Sequence, residues 1–150
     1  MASTNLFEES SSRLLTASAL DFVLGLELKR AARAQNVLTI IVIEVTREWE
    51  GTLLAADQQT LHELAHLIGK QVRETDLLGR SGEATLSLVL LDTGFEPSTH
   101  VIDRFLARID GYDFAVKLRL VVGAASCPIH SGDPLTLMRY AVSHPIINWT

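Results

Sequence analysis

The chain has 150 residues, enough for one domain with a real hydrophobic core, and 47% apolar against 21% charged residues is the balance of an ordinary soluble globule. A formal charge of −5 supplies no basic field to gather phosphates, which speaks against a nucleic-acid partner but leaves room for one small anion held by a few arginines. The longest apolar run, VLTIIVI, is too short to insert across a membrane; with the lone Cys127 and no signal-peptide pattern, the reducing cytoplasm is the expected compartment.

Residues 1–12 are polar and expected to be flexible, and 1–150 is expected to form a single domain, without repeat or linker. Leu15, Ala19, Phe22, Val23 and Leu26 recur at helical spacing, predicting an amphipathic helix over about residues 13–34 with that stripe inward. VLTIIVIEV is a continuous β-branched run, as expected of a strand buried on both faces. Asp57 is placed to cap a second helix whose inward stripe is Leu61, Leu64, Ala65, Ile68 and Val72. DLLGR and TLSLVLLD flank a short SGEA connection and predict an antiparallel hairpin. A helix follows Pro97 with Val101, Ile102, Phe105 and Ile109 inward. Val116, Leu118, Leu120 and Val122 alternate as a strand, and Asp133-Pro134 opens a last short helix. After the leading helix the order is β-α-β-β-α-β, closed by a helix. That is an α+β chain in the split-βαβ, ferredoxin-like order, with helices expected on one face of a mixed or antiparallel sheet.

HELAHLIG, His62 to Gly69, superficially suits a zinc protease, with two histidines on one helical face and Glu63 as general base. Zinc needs a third protein ligand. Where the longer metalloprotease pattern supplies it stands Val72, which has no lone pair to offer. His62 and His66 are therefore read as solvated residues of an exposed helix face, with no metal bound.

The longer stretch LHELAHLIGKQVRETDLLGRSGEATLSLVLLDT resembles the core of the GGDEF family, the bacterial diguanylate cyclases and their relatives. TIIVIEV is similar to the family's first strand with its metal-binding carboxylate, here Glu44. VVGAASCPIHSGDPLTLMRYA is similar to its late strand and final helix. The likeness covers most of the chain and implies a nucleotidyl-cyclase-like fold. At the signature itself the chain departs: Gly82, Glu83, Ala84, Thr85 and Leu86 read GEATL. The family's second magnesium carboxylate is replaced by Ala84, and magnesium-assisted transfer needs oxygen ligands close to the phosphates. Glu83 puts a side chain and a negative charge where a triphosphate must approach the backbone. Two further departures are TREWEGTLLAAD, read as a shortened nucleotide loop, and AVSHPIINWT, which lacks the phosphate-gripping basic residues. The resemblance thus implies a catalytically dead, degenerate member with no catalytic residues, metal or cofactor. Asp57 is then only a helix cap, and Arg80 a surface hairpin charge.

One family feature is intact. Many GGDEF enzymes carry an inhibitory RxxD site five residues before the signature, which binds cyclic di-GMP. Arg73-Glu74-Thr75-Asp76 is followed by LLGRS and then Gly82. The family site also recruits an arginine from the next helix, and a gap-free count lands on Arg104. An arginine fork can donate to guanine O6 and N7 and answer phosphate, and an aspartate can accept from the guanine N–H edge. The competing reading is a local Arg73–Asp76 ion pair across three residues. The resemblance implies a cyclic di-GMP receptor with Arg73, Asp76 and Arg104 as contacts, acting through a protein partner or a homodimer. The alternative is a scaffold of the same degenerate fold that ignores nucleotides.

Overall fold

The β-branched run forms the middle strand of a sheet. In the computed structural model, which describes residues 6–8 and 13–150, a strand over Leu38–Trp49 is bonded on both edges. In chain order the elements are β1 (Leu14–Leu15), α1 (Ala17–Ala34), β2 (Leu38–Trp49), β3 (Thr52–Ala55), α2 (Gln58–Gly69) and β4 (Leu77–Gly82). They continue with β5 (Thr85–Leu91), α3 (Phe95–Asp110), β6 (Leu118–Cys127), α4 (Pro134–Ser143) and β7 (Pro145–Trp149). The sheet runs β1-β4-β5-β2-β6-β7, with β3 folded back on the far end of β2. Only the β1–β4 pair is parallel. Its inner part, β4-β5-β2-β6, is the ferredoxin-like arrangement expected from the element order.

Alternation along β2 divides the core in two. Ile41, Ile43 and Val45 pack with Leu61, Leu64 and Ile68 of α2 and Ile102 and Phe105 of α3. Leu38, Ile40 and Val42 face the other way, against Leu20, Leu24 and Leu28 of α1 and Leu137 and Ala141 of α4. Helices therefore cover both faces, and the expectation of one covered face is wrong: the leading and closing helices supply the second layer. Gly123 lets α4 lie against β6, since a Cβ there would fall 1.8 Å from the Ala141 carbonyl oxygen.

Further corrections concern the ends of elements. α1 begins at Ala17, capped by the Thr16 hydroxyl, and Leu14–Leu15 instead pair with Leu78–Gly79. Its buried stripe is Ala19, Leu20, Leu24, Leu28 and Ala31; Phe22 and Leu26 are 69% and 47% exposed. Both stripes have helical spacing, and the contact with the sheet at Gly79 selects the one containing Leu20. TREWEGTLLAAD is a β-hairpin arm rather than a loop, turning at Glu50 and Gly51 with φ of 49° and 79°. The tail after α4 forms an edge strand opened by Pro145, a position where proline's missing N–H is tolerated. α3 starts at Phe95, before Pro97. Val72 and Val116 lie outside the helix and strand assigned to them. Of the stretch expected to be flexible, residues 1–5 and 9–12 lie outside the described residues. Leu6 and Glu8 are bonded, with Thr16 N–H donating to Leu6 O at 2.8 Å and Glu8 N–H to Leu14 O at 2.7 Å. No helix among the described residues is long and apolar enough to cross a membrane.

Candidate ligand-binding site

The chain leaves α2 after Gly69 and turns into β4 through Arg73 and Asp76. The turn closes on itself: Asp76 N–H donates to Arg73 O at 3.0 Å, and Arg73 N–H donates to Asp76 Oδ2 at 3.1 Å. The Arg73 guanidinium forks onto the same carboxylate, Nε to Oδ2 at 3.2 Å and Nη2 to Oδ1 at 3.1 Å. Asp76 Oδ1 also accepts from Leu91 N–H at 3.2 Å. Two hydrogen bonds thus fall on each carboxylate oxygen, and Asp76 is buried at 5% exposure. Arg73 keeps 56% of its side chain exposed, and its Nη2 reaches the Leu91 carbonyl and Thr93 Oγ1. The local ion pair anticipated from the sequence exists, and it braces the turn.

Thr93 is pinned from beneath. Thr39 Oγ1, at the start of β2, donates to Thr93 O at 2.8 Å and lies 2.6 Å from Ser126 Oγ on β6. Thr39 has one hydroxyl proton to give, so Ser126 is the donor between them. Ser126 N–H in turn donates to His130 Nδ1 at 2.8 Å.

Arg104 projects from the exposed side of α3, and its Nη2 donates to Gln71 O at 3.0 Å. Arg73, Asp76 and Arg104 line one recess of about 330 Å³, together with Lys70 and Thr93. The spare donors are Nη1 of Arg73 and Nε and Nη1 of Arg104, which make no hydrogen bond among the described residues. Such a site can take the acceptor edge of a purine and an anionic group. Asp76 can accept from a ligand N–H only by giving up one of its present bonds. Lys70 and Thr93 escaped the sequence reading because neither belongs to the RxxD motif; a lysine at the end of α2 was the available signal.

The signature positions form a different neighbourhood. Gly82 and Thr85 pair across the two-residue turn Glu83-Ala84. Glu83 is exposed, Ala84 packs against the α2/α3 core while its carbonyl accepts from Val45 N–H at 2.9 Å, and Leu86 is fully buried. Glu44 stands opposite Thr85, and its carboxylate makes no hydrogen bond or ion pair among the described residues. Over Glu44 and Val42 opens a recess of about 830 Å³, walled by Leu135, Met138 and Val142 of α4 and bordered by Asp21 and Arg139. Two carboxylates face one guanidinium there.

Arg80 is not the free surface charge expected. It pairs with Glu8 at 3.0 Å, donates to Gln58 Oε1 at 2.7 Å and reaches the Glu83 carbonyl, tying three segments together. Asp57 is the helix cap, accepting from Thr60 N–H at 2.8 Å, and this backbone hydrogen bond holds its carboxyl below the usual range. His66 is exposed and His62 half-buried, and no three His, Cys, Asp or Glu side chains gather into a metal site among the described residues.

No family model matches the chain, and no curated protein matches it. Solved structures match nearly throughout. The GGDEF domain of FimX from Pseudomonas aeruginosa aligns with a TM-score of 0.77 at 17% identity, covering 93% of this chain and 91% of that one. The GGDEF domain of DgcB from Caulobacter crescentus, in complex with c-di-GMP, gives 0.74 at 13% identity over 95% and 87%. The GGDEF domain of YfiN from P. aeruginosa gives 0.71 at 23% identity over 87% and 86%. The α+β architecture described above, a mixed sheet with α2 and α3 on one face and α1 and α4 on the other, is the GGDEF-domain fold.

Proposed function

We propose that this chain is a catalytically inactive GGDEF domain that binds cyclic di-GMP at the Arg73–Arg104 recess and relays its level, in the cytoplasm, to a protein partner or a second copy of itself. The observation that carries the reading is convergence: Arg73 and Asp76 on the α2–β4 turn and Arg104 on α3 border one cavity. The donors suit guanine O6 and N7, and Lys70 and the two arginines suit phosphate. The DgcB domain, of like fold, is described in complex with c-di-GMP. Inactivity is supported by Ala84 packed into the core in place of a metal ligand, and by the acidic, apolar lining of the recess over Glu44. No cofactor is required.

Calorimetry with cyclic di-GMP tests the reading. A saturable heat is expected, weakened by Arg73→Ala about tenfold or more, since a hydrogen bond from a charged donor such as the free Nη1 contributes about 1.5–3 kcal/mol. Heats equal to dilution at about 50 µM ligand, well above a micromolar Kd, would end it.

A second reading, the nucleotide-independent scaffold, is favoured by two observations: Asp76 already has its acceptor positions filled, and Phe22 and Leu26 stand exposed on α1. It expects a sizing profile that neither Arg73→Ala nor added dinucleotide alters.

A further inference from the structure

Arg13 lies in the segment that leads into α1, yet it reaches the other side of the Arg73 turn. Its Nη1 donates to Gly69 O at 2.8 Å, and its Nη2 donates to Arg73 O. Gly69 is the last residue of α2, where carbonyls lack helical partners and a cation is favoured. The arginine stem passes close over that glycine, 3.6 Å from where a Cβ would sit. Arg73 O is also the acceptor for Asp76 N–H. One fork therefore clamps both the end of α2 and the turn that presents the ligand contacts.

The segment carrying Arg13 is docked on β4, the strand that follows this turn. Leu14 and Leu15 pair in parallel with Leu78 and Gly79, and Leu6–Glu8 fold back on Leu14–Thr16. Between Phe7, Arg13 and Leu15 on one side and Glu74, Asp76 and Leu77 on the other lies a second recess of about 410 Å³. Asp76 is thus shared by the recess of the proposed ligand and the recess beside the approach to α1.

We infer that Arg13 is a positioning residue that couples the ligand recess to the segment leading into α1, so that ligand occupancy is read out as tighter docking of Arg13–Thr16. The inference rests on the proposed cyclic di-GMP binding. A ligand held by Arg73 and Arg104 favours the closed turn, which is the form that offers Arg13 its two acceptors. Linkage makes the effect reciprocal: removing Arg13 lets the turn open and lowers ligand affinity by the same factor that ligand tightens the segment.

The test is hydrogen exchange on the full chain with and without cyclic di-GMP, run beside calorimetry on wild type, Arg13→Ala and Arg13→Lys. Lysine keeps the charge and stem but offers no fork, so it should fall between the other two. In wild type, ligand should slow exchange at Leu14–Thr16 as well as at Arg73–Asp76. In Arg13→Ala the affinity should fall about fivefold, the low end of typical coupling, and slowing should be confined to Arg73–Asp76. Ligand binding that leaves Leu14–Thr16 unchanged in wild type, or slows it equally in Arg13→Ala, overturns the inference while leaving the binding function standing. No heat from wild type overturns the binding function and any ligand read-out with it. The free proteins then judge the clamp alone: faster exchange at Arg73–Asp76 in Arg13→Ala upholds it, and equal exchange removes it.

Discussion

The recess beside Arg73 and the recess above Glu44 differ in the opposite sense from their importance for an anionic ligand. The second is the larger, about 830 Å³ against about 330 Å³, but its charged border is Asp21, Glu44 and Arg139 over apolar α4 side chains. The first brings Lys70, Arg73 and Arg104 together around one carboxylate that Arg73 already neutralises. For a ligand bearing phosphates the sign of the surrounding charge and the number of free donors outweigh room. Volume alone would direct a search for an anionic ligand to the recess with fewer cations.

The largest effect should come from the ground beneath the bigger recess. Gly123→Ala drives a methyl into the Ala141 carbonyl, and displacing α4 should cost about 3 kcal/mol, the upper part of the overpacking range, measured by urea denaturation. The dinucleotide heat should persist in the folded fraction; its loss would break the separation of the two recesses. Next, Asp76→Asn turns one of two fully engaged acceptor oxygens into a donor: with the remaining oxygen kept on Leu91 N–H and Arg73 Nη2, the Arg73 N–H and Nε lose theirs, which should destabilise by about 2 kcal/mol as well as loosening the smaller recess. Asp57→Ala should cost about 1 kcal/mol through lost capping at α2. Its carboxyl titrates below 3.8 in the fold, so the stability it gives is present above that pH and lost as the pH falls through the lowered value. The wild-type acid limb should therefore be steeper than the variant's. Smallest of all, Glu44→Gln should change stability by no more than about 0.5 kcal/mol and leave dinucleotide affinity untouched, because that carboxylate has no partner to lose. A weakened affinity in this variant would mean that the two recesses communicate.

The sequence showed the elements whose signals are local. The β-branched run of β2, the alternation from Leu118 to Val122, and the caps at Asp57 and Asp133 all stand where their residues demand. It misjudged what tertiary contact decides. α1 carries two apolar stripes of equal period, and only the sheet beneath Gly79 chooses Leu20, Leu24 and Leu28 over Phe22 and Leu26. β1 is two residues long, and its one signal is a partner over sixty residues away. At the candidate site, Arg73, Asp76 and Arg104 were reachable by motif spacing. The saturation of Asp76 was not, because its bond to Leu91 joins segments that only folding brings together. Arg13 was invisible for the same reason: its acceptors are backbone carbonyls, which every residue has.

The hydroxyl run beneath Thr93 has a consequence at a distance. With Thr39 spending its only proton on the Thr93 carbonyl, the Ser126 hydroxyl must donate to Thr39, and reversing that bond would take the donor away from Thr93 O. Swapping Thr39 for valine would keep the shape and sever the tether. A change in the dry interior, touching no ligand, would then be felt outside as slack in the loop that steadies Arg73.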